Sequence, residues 1–274
     1  MKKYIKYAIS LLAVVCLVGC SAGEKADDDK VIRIGASPSP HARILEFARE
    51  ELKEKGYILN IKEFSDYVLP NMALEKGELD ANYFQHLPYL EQFNKDNQSN
   101  IVGVAPIHFE PLGVYSEKYT FTPFTLETIS EGTSIAVPND PTNEARALQL
   151  LEKHGILKLK EGVGLKATKE DIVENPKNVQ IKEIEAANLS RSLLDVDYAV
   201  INGNYALDGN VQDKVLVIEE QDSEGAKTFA NIIAVKQGNE ESKKIKALIE
   251  VLQSEKTRTF IKETFGHLVV PISE

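Results

Sequence analysis

The chain has 274 residues, 43% hydrophobic and 27% charged, which is the composition of a globular protein and excludes a collagen-like, disordered or polytopic membrane chain. Lys plus Arg number 32 against 42 Asp plus Glu, and the resulting net charge of −10 disfavours a nucleic-acid backbone as partner. Its 2 cysteines, Cys16 and Cys20, lie close to the N-terminus, which excludes a disulfide framework, a thiolate zinc site and a cysteine nucleophile from the rest of the chain.

Lys2, Lys3 and Lys6 precede an apolar run from Tyr7 to Val18, the basic and apolar regions of a secretory signal. The run is shorter than the ~20 residues that a membrane span needs. It ends Leu17-Val18-Gly19-Cys20, which resembles the lipobox where bacterial lipoproteins are cleaved and the exposed cysteine takes lipid. Residues 1–19 are expected to be a removed lipoprotein signal peptide, with lipidation at Cys20. Residues 20–30 are small, polar and charged, and are expected to form a flexible tether. A chain processed in this way works on the extracytoplasmic face of the bacterial cell membrane, held there by its lipid.

From Val31 the body alternates strands and helices. Val31–Gly35 reads as a strand ending in a Pro-rich turn, Ser37-Pro38-Ser39-Pro40. Ile44, Leu45, Ala48 and Leu52 fall at helical spacing, and Gly56 closes the helix. A strand about Leu59 and Ile61, a helix Leu69–Lys76, a strand Leu79–Phe84, a helix Leu87–Phe93 and a strand from Ile101 follow. The rhythm restarts with a strand Ser134–Val137, a helix Asn143–His154, a strand Val179–Ile181, a short helix Asn188–Leu194 and a strand Tyr198–Ile201. A strand Ile232–Val235 and an amphipathic helix carrying Ile245, Leu248, Ile249 and Leu252 come near the end. This βαβ order predicts an α/β protein of two lobes, with mostly parallel sheets flanked by helices. Ligands of open α/β sheets bind beyond the carboxyl ends of the strands, so the segments that follow strands are the candidate site.

Three such segments stand out. In Pro138-Asn139-Asp140-Pro141-Thr142-Asn143-Glu144-Ala145-Arg146, Asp140 is placed to cap a helix, and Asn143 and Arg146 share a face of its first turns. A helix N-terminus with an Arg fork suits a carboxylate, although the same residues also make an ordinary capped helix. Asn202-Gly203-Asn204 follows a strand; the amides suit a zwitterion, while a plain Asn-Gly turn is the stronger local reading. Tyr83, Phe84, His86 and Tyr89, with Tyr67, His108 and Tyr115, form an aromatic set that fits either a pocket wall or the core.

Taken together, Tyr83-Phe84-Gln85-His86-Leu87-Pro88-Tyr89-Leu90, His108-Phe109-Glu110-Pro111-Leu112-Gly113-Val114-Tyr115-Ser116, Ala136-Val137-Pro138-Asn139-Asp140-Pro141-Thr142-Asn143 and Ala199-Val200-Ile201-Asn202-Gly203-Asn204-Tyr205-Ala206 resemble the methionine-binding lipoproteins of ABC importers, the MetQ/NlpA family of substrate-binding proteins. The likeness runs in order from about residue 31 to the C-terminus and includes the lipobox. It implies a two-lobed periplasmic-binding-protein-like fold of type II, with a ligand cleft between lobes. Lobe 1 would comprise 31–108 and 230–274, and lobe 2 would comprise 109–229. The chain would cross near Phe109–Pro111 and near Ala226–Ala230.

The resemblance further implies that Arg146 holds the ligand carboxylate with Asn143 nearby, and that Asn202 and Asn231 contact the amino-acid head group. Tyr67, Tyr83, Phe84, His86, Tyr89, His108 and Tyr115 would wall the side-chain pocket, where sulfur packs favourably on aromatic rings. Glu110, asparagines or backbone carbonyls would face the ligand's ammonium. One stretch departs from the family pattern: where relatives commonly carry Ser-Pro-Tyr and a small residue, this chain has Lys227-Thr228-Phe229-Ala230 before Asn231.

The expected role is therefore capture of methionine, L- or D-, or a short methionine peptide, by a monomer that delivers it to an ABC permease and through it the ATPase. No cofactor or nucleic acid is involved. Two further readings are a metal-binding lipoprotein and a surface antigen that has lost transport. The five histidines His41, His86, His108, His154 and His267 form no close ligand pair in sequence, which disfavours a metal site. No Gly-x-Ser-x-Gly or His-Glu-x-x-His motif is present, which disfavours an enzyme.

Overall fold

The computed structural model of the chain describes residues 28–119, 123–220 and 227–272. The expected leader over residues 1–19, the lipidated Cys20 and the tether as far as residue 27 lie outside these. The last tether residues are structured: Asp28–Lys30 form a 3₁₀ turn, and Asp28 pairs with Arg33. Residues 28–30, expected within the flexible tether, are therefore held in place, because this turn brings a carboxylate onto a guanidinium.

Two sheets organise the molecule. The first contains β1 (Val31–Ala36), β2 (Ile58–Glu63), β3 (Ala81–His86), β4 (Ile101–Phe109), β12 (Ala230–Lys236) and β13 (Val270–Pro271), in the order β13-β4-β12-β3-β1-β2. The second contains β5 (Gly113–Tyr115), β6 (Ser134–Pro138), β9 (Gln180–Ile184), β10 (Tyr198–Ile201) and β11 (Val215–Ile218), in the order β11-β5-β10-β6-β9. A hairpin of β7 (Lys158–Leu159) and β8 (Ile172–Glu174) completes the strands.

The expected parallel pairing holds for β2-β1-β3 and for β9-β6-β10. The remaining strands of both sheets run antiparallel. The reason lies in the connections. β12 returns from the second sheet and inserts between β3 and β4, so it enters from the opposite end. β5 follows β4 after residues 110–112 and enters the second sheet against β10 in the same reversed sense.

Helix α1 (Arg43–Glu54) buries Ile44, Leu45, Ala48 and Leu52 as its spacing predicts. It packs with α7 (Lys243–Leu252) and α8 (Glu255–Phe265) on the first sheet, in a core that includes Ile32, Ile34, Leu248 and Ile261. The other face takes α2 (Leu69–Glu75) and α3 (Leu87–Asn97) through Leu74, Leu90 and Phe93. In the second lobe α4 (Pro141–Lys153) covers one face with Leu148 and Leu151. The short α5 (Leu189–Ser192) and α6 (Gly203–Asp208) cover the other.

The chain passes between lobes at 110–112 and again after β11. The two passages are tied together: the Glu219 N–H donates to the Leu112 carbonyl at 2.9 Å, and the Leu112 N–H donates to Glu219 Oε2 at 2.8 Å.

Candidate functional site

The carboxyl ends of β3, β6 and β10 meet between the lobes around one cavity. It is lined by Tyr67, Phe84, Gln85, His86, Tyr89, Glu110, Asn143, Arg146, Asn202, Gly203, Asn204 and Asn231. The space within it that the centre of a water molecule can occupy is about 20 Å³, little more than one water's room, so the lobes lie close around the site. Polar contacts hold them shut: Tyr67 donates to Asn204 Oδ1 at 2.6 Å, and Tyr205 donates to the Ser65 carbonyl at 3.2 Å.

The helix expected after β6 starts as predicted. Asp140 caps α4, accepting from the Asn143 N–H at 3.0 Å, with Pro141 first in the helix. Asn143 donates its side-chain amide to Asp140, while its Oδ1 accepts from Asn202 Nδ2 at 2.9 Å and meets His86 Nε2 at 3.2 Å. His86 in turn caps α3, its Nδ1 accepting from the Tyr89 N–H at 3.2 Å. That bond fixes the tautomer, so Nε2–H donates to Asn143. Both ends of the Asn143 amide are occupied, so this residue braces the site. Asp140→Ala should lower unfolding stability by about 1–2 kcal/mol through the lost cap, read as a lower urea midpoint with unchanged slope.

Arg146 is 3% exposed. Its Nε donates to Glu219 Oε1 at 2.8 Å, and its Nη2 donates to the Glu110 carbonyl at 2.8 Å and to Glu219 Oε2. Its guanidinium also lies 4.3 Å from the Phe229 ring centroid and 5.4 Å from that of Phe109. The altered segment before Asn231 therefore acts behind the guanidinium: Phe229 supplies the ring face that Arg146 packs on, and a hydroxyl is not needed for that contact.

Glu110, on the first crossing, is the hub of a buried network. Oε2 accepts from the Asn204 N–H at 2.6 Å, and Oε1 meets His108 Nε2 at 2.7 Å and His41 Nε2 at 3.3 Å. His108 Nδ1 pairs with the Tyr83 hydroxyl, and His41 Nε2 lies 3.0 Å from Asn231 Oδ1. Gly203 permits this approach, since a Cβ there would sit 3.0 Å from Glu110 Cβ and 3.1 Å from its Oε2. Burial holds His41 down to about 4, and His86 and His108 down to about 3, so all three are neutral at pH 7. Burial also raises Glu110, with His41 and the Asn204 N–H pulling the other way.

Of the residues expected at the site, Tyr67, Phe84, His86, Tyr89, Asn143, Arg146, Asn202 and Asn231 line the cavity. Tyr83, His108 and Tyr115 do not. Tyr83 is fully buried in the core of the first sheet and pairs with His108 behind Glu110; the register of β3 against β12 shifts just after it, between Tyr83 and Gln85, so simple alternation does not carry it to the cavity. Tyr115 is buried in the second lobe's core, its ring closing over Gly113. The Asn202-Gly203-Asn204 stretch is no plain turn: Asn202 stands at the N-terminus of α6.

The sequence also separates groups that the fold unites. His41 and His108 do converge, and with Glu110 their ligand atoms lie within 4.8 Å of one another. Here those atoms are joined by hydrogen bonds among themselves and to Asn204 and Asn231. Gln85 and Glu219 carry no local signal in the sequence, whereas Asn204 is one of the two amides suited to a zwitterion there and lines the cavity.

Two polar atoms of the lining are buried without a hydrogen-bond partner among the described residues, Asn202 Oδ1 and Asn204 Nδ2. An unsatisfied acceptor and an unsatisfied donor in one cavity are what a zwitterion would complete.

Two α/β lobes that meet around a buried polar cavity at their strand ends have the architecture of substrate-binding proteins of ABC transporters, and family and relatives place this chain among those binding proteins and not among enzymes. This chain belongs to the NlpA lipoprotein family, whose pattern it matches over residues 32–273. It is 38% identical to the methionine-binding lipoprotein MetQ of Bacillus subtilis over 279 residues, covering 100% of both chains. It is 39% identical to the D-methionine-binding lipoprotein MetQ of Escherichia coli K12 over 260 residues, 94% of this chain and 93% of that one. Among solved structures it resembles a nutrient-binding protein of Burkholderia cenocepacia bound to methionine, with 40% identity, a TM-score of 0.82 and coverage of 88% and 100%.

Proposed function

We propose that this protein captures methionine, as the L- or D-amino acid or the residue of a short peptide, and delivers it to the permease of an ABC importer. The observation that carries this reading is the placement of Asn202 Oδ1 and Asn204 Nδ2, both unpartnered, in a cavity that also presents Glu110 and Arg146. Such a site offers both signs of charge to a zwitterion. Tyr67, Phe84 and Tyr89, with ring centroids 5.6–6.1 Å apart, suit an apolar thioether tail. The names of the relatives support the same ligand class. Lipid on Cys20 would hold the protein as a monomer at the extracytoplasmic membrane face; no described helix is long and apolar enough to cross a membrane.

The test is native mass spectrometry of protein purified without refolding, followed by calorimetry with L-methionine, D-methionine and glycyl-methionine. A co-purifying mass of methionine or its peptide, and heat with at least one of the three, is the expected result. No heat with any of them removes the reading. Metal analysis of the same sample tests the metal-carrier alternative, for which the convergence of His41, His108 and Glu110 is the favouring observation.

A further inference from the structure

Three buried amides tie α2 to β3 next to the cavity. Asn71 on α2 and Asn82 on β3 are fully buried, and Gln85 on β3 is 3% exposed. Asn71 and Gln85 form a reciprocal pair: Asn71 Nδ2 donates to Gln85 Oε1 at 2.8 Å, and Gln85 Nε2 donates to Asn71 Oδ1 at 2.7 Å. Asn82 closes the ring. Its Oδ1 accepts from Gln85 Nε2 at 2.9 Å, and its Nδ2 donates to Asn71 Oδ1 at 2.8 Å and to the Pro70 carbonyl at 3.4 Å. Every oxygen and nitrogen of the three side-chain amides thus has a partner. Hydrogen bonds are directional where apolar packing is not, and this ring sits under the first turn of α2 alone. Ala73 and Leu74 anchor the rest of the helix in apolar core, whereas Val68 and Leu69 at its start are 48% and 53% exposed.

We infer that Asn71 is a positioning residue for the cavity: the amide ring fixes where α2 starts and, through it, the Tyr67 side chain, which in turn orients the Asn204 amide. The binding role of this wall rests on the amino-acid reading above. Tyr67 lies just before α2, in the turn where Asp66 Oδ1 accepts from the Val68 and Leu69 N–H groups, both at 2.8 Å. Its carbonyl accepts from the Tyr89 hydroxyl at 3.0 Å, so two rings of the cavity wall follow the position of that turn. The Tyr67 hydroxyl donates to Asn204 Oδ1 at 2.6 Å, which leaves Nδ2 as the free donor of that amide in the lining. Burying three amides costs desolvation that an apolar contact would avoid. A fully satisfied polar ring in turn admits one register of helix on strand, and a wall built on the start of a seven-residue helix needs that register.

The experiment is a double-variant cycle on the whole protein. Asn71→Leu fills the place of the amide without hydrogen bonds, and Tyr67→Phe keeps the ring without its hydroxyl. Calorimetry with L-methionine should find each single variant about tenfold weaker than the parent, and the double variant about tenfold weaker as well, because both changes break one chain of contacts. Independent effects would multiply to about 100-fold. That product, or an Asn71→Leu affinity equal to the parent's, would overturn the inference. Ring-labelled tyrosine NMR reads the same coupling without ligand. The Tyr67 signal, assigned by its loss in Tyr67→Phe, should shift in Asn71→Leu, while that of Tyr119, stacked on Tyr198 in the second lobe, stays in place. An unmoved Tyr67 signal would overturn the inference whatever the ligand. Absence of methionine binding by the parent would remove the reading of function and leave the NMR result to decide the positioning. Should Asn71→Leu not fold, Asn71→Ser carries the same cycle under the same criteria.

Discussion

Arg146→Ala should weaken methionine binding by about 100–1,000-fold and also lower the unfolding free energy by about 3–5 kcal/mol. Both effects come from the same partner. The Glu219 side chain is only 18% exposed, so removing the guanidinium strands a carboxylate whose remaining hydrogen bond is from the Leu112 N–H. That carboxylate then repels the ligand's own. The stacked faces of Phe229 and Phe109 lose their cation as well. Calorimetry reads the first effect and denaturant unfolding the second. The stability loss should be largely restored in Arg146→Ala/Glu219→Ala, because the double variant leaves no unpaired charge. Binding should not return with it. If the single variant binds methionine within about tenfold of the parent, Arg146 has no part in ligand capture.

The order of elements is legible in the sequence wherever a segment buries one regular face. α1 and α7 show this, since Ile44, Leu45, Ala48 and Leu52, and Ile245 and Leu248, point into one core. β5, β11 and β13 are not legible. They are two to four residues long, so no periodicity accumulates, and their pairing is dictated by partners remote in sequence. α8 was within reach: Ser254 caps it, and Thr257, Ile261 and Phe265 repeat at helical spacing.

The site divides along the same line. Asp140, Asn143 and Arg146 are readable because one helix start sets them out. Asn202 and Asn204 are visible as a motif, but their role appears only when Glu110 and Gly203 pack against them. Glu219 and His41 reach the site through contacts spanning 73 and 69 positions, beyond any local pattern. Tyr83 shows the converse, since its place in a striking aromatic run says nothing about which side of the strand it faces.

The second large effect concerns acid. Stability should fall steeply as pH drops below about 6.5, and the histidines set the sign. His86, His108 and His41 are buried neutral, with native pKa values of about 3, 3 and 4 against 6.5 for the free side chain. Between those limits the unfolded chain binds protons that the native one refuses, so stability is intact above 6.5 and is lost as pH falls toward 4. At pH 5 each histidine contributes a loss of about 2 kcal/mol.

Glu110 works the other way. Its raised native pKa means the folded protein holds a proton above 4.5, which favours folding on the acid side. It also faces His41, and its charge eases a proton onto that imidazole. His86 has no such relief, since Arg146 opposes its protonation. Charging its Nδ1 would also remove the acceptor that caps α3. The measurement is thermal unfolding from pH 7.5 to 5 for the parent and for His86→Asn, which keeps a capping oxygen but cannot titrate. The parent's melting temperature should drop across that range and the variant's should drop less. Parallel curves would mean that His86 already carries its proton in the folded protein, and that the polar bridge it makes to Asn143 is cationic.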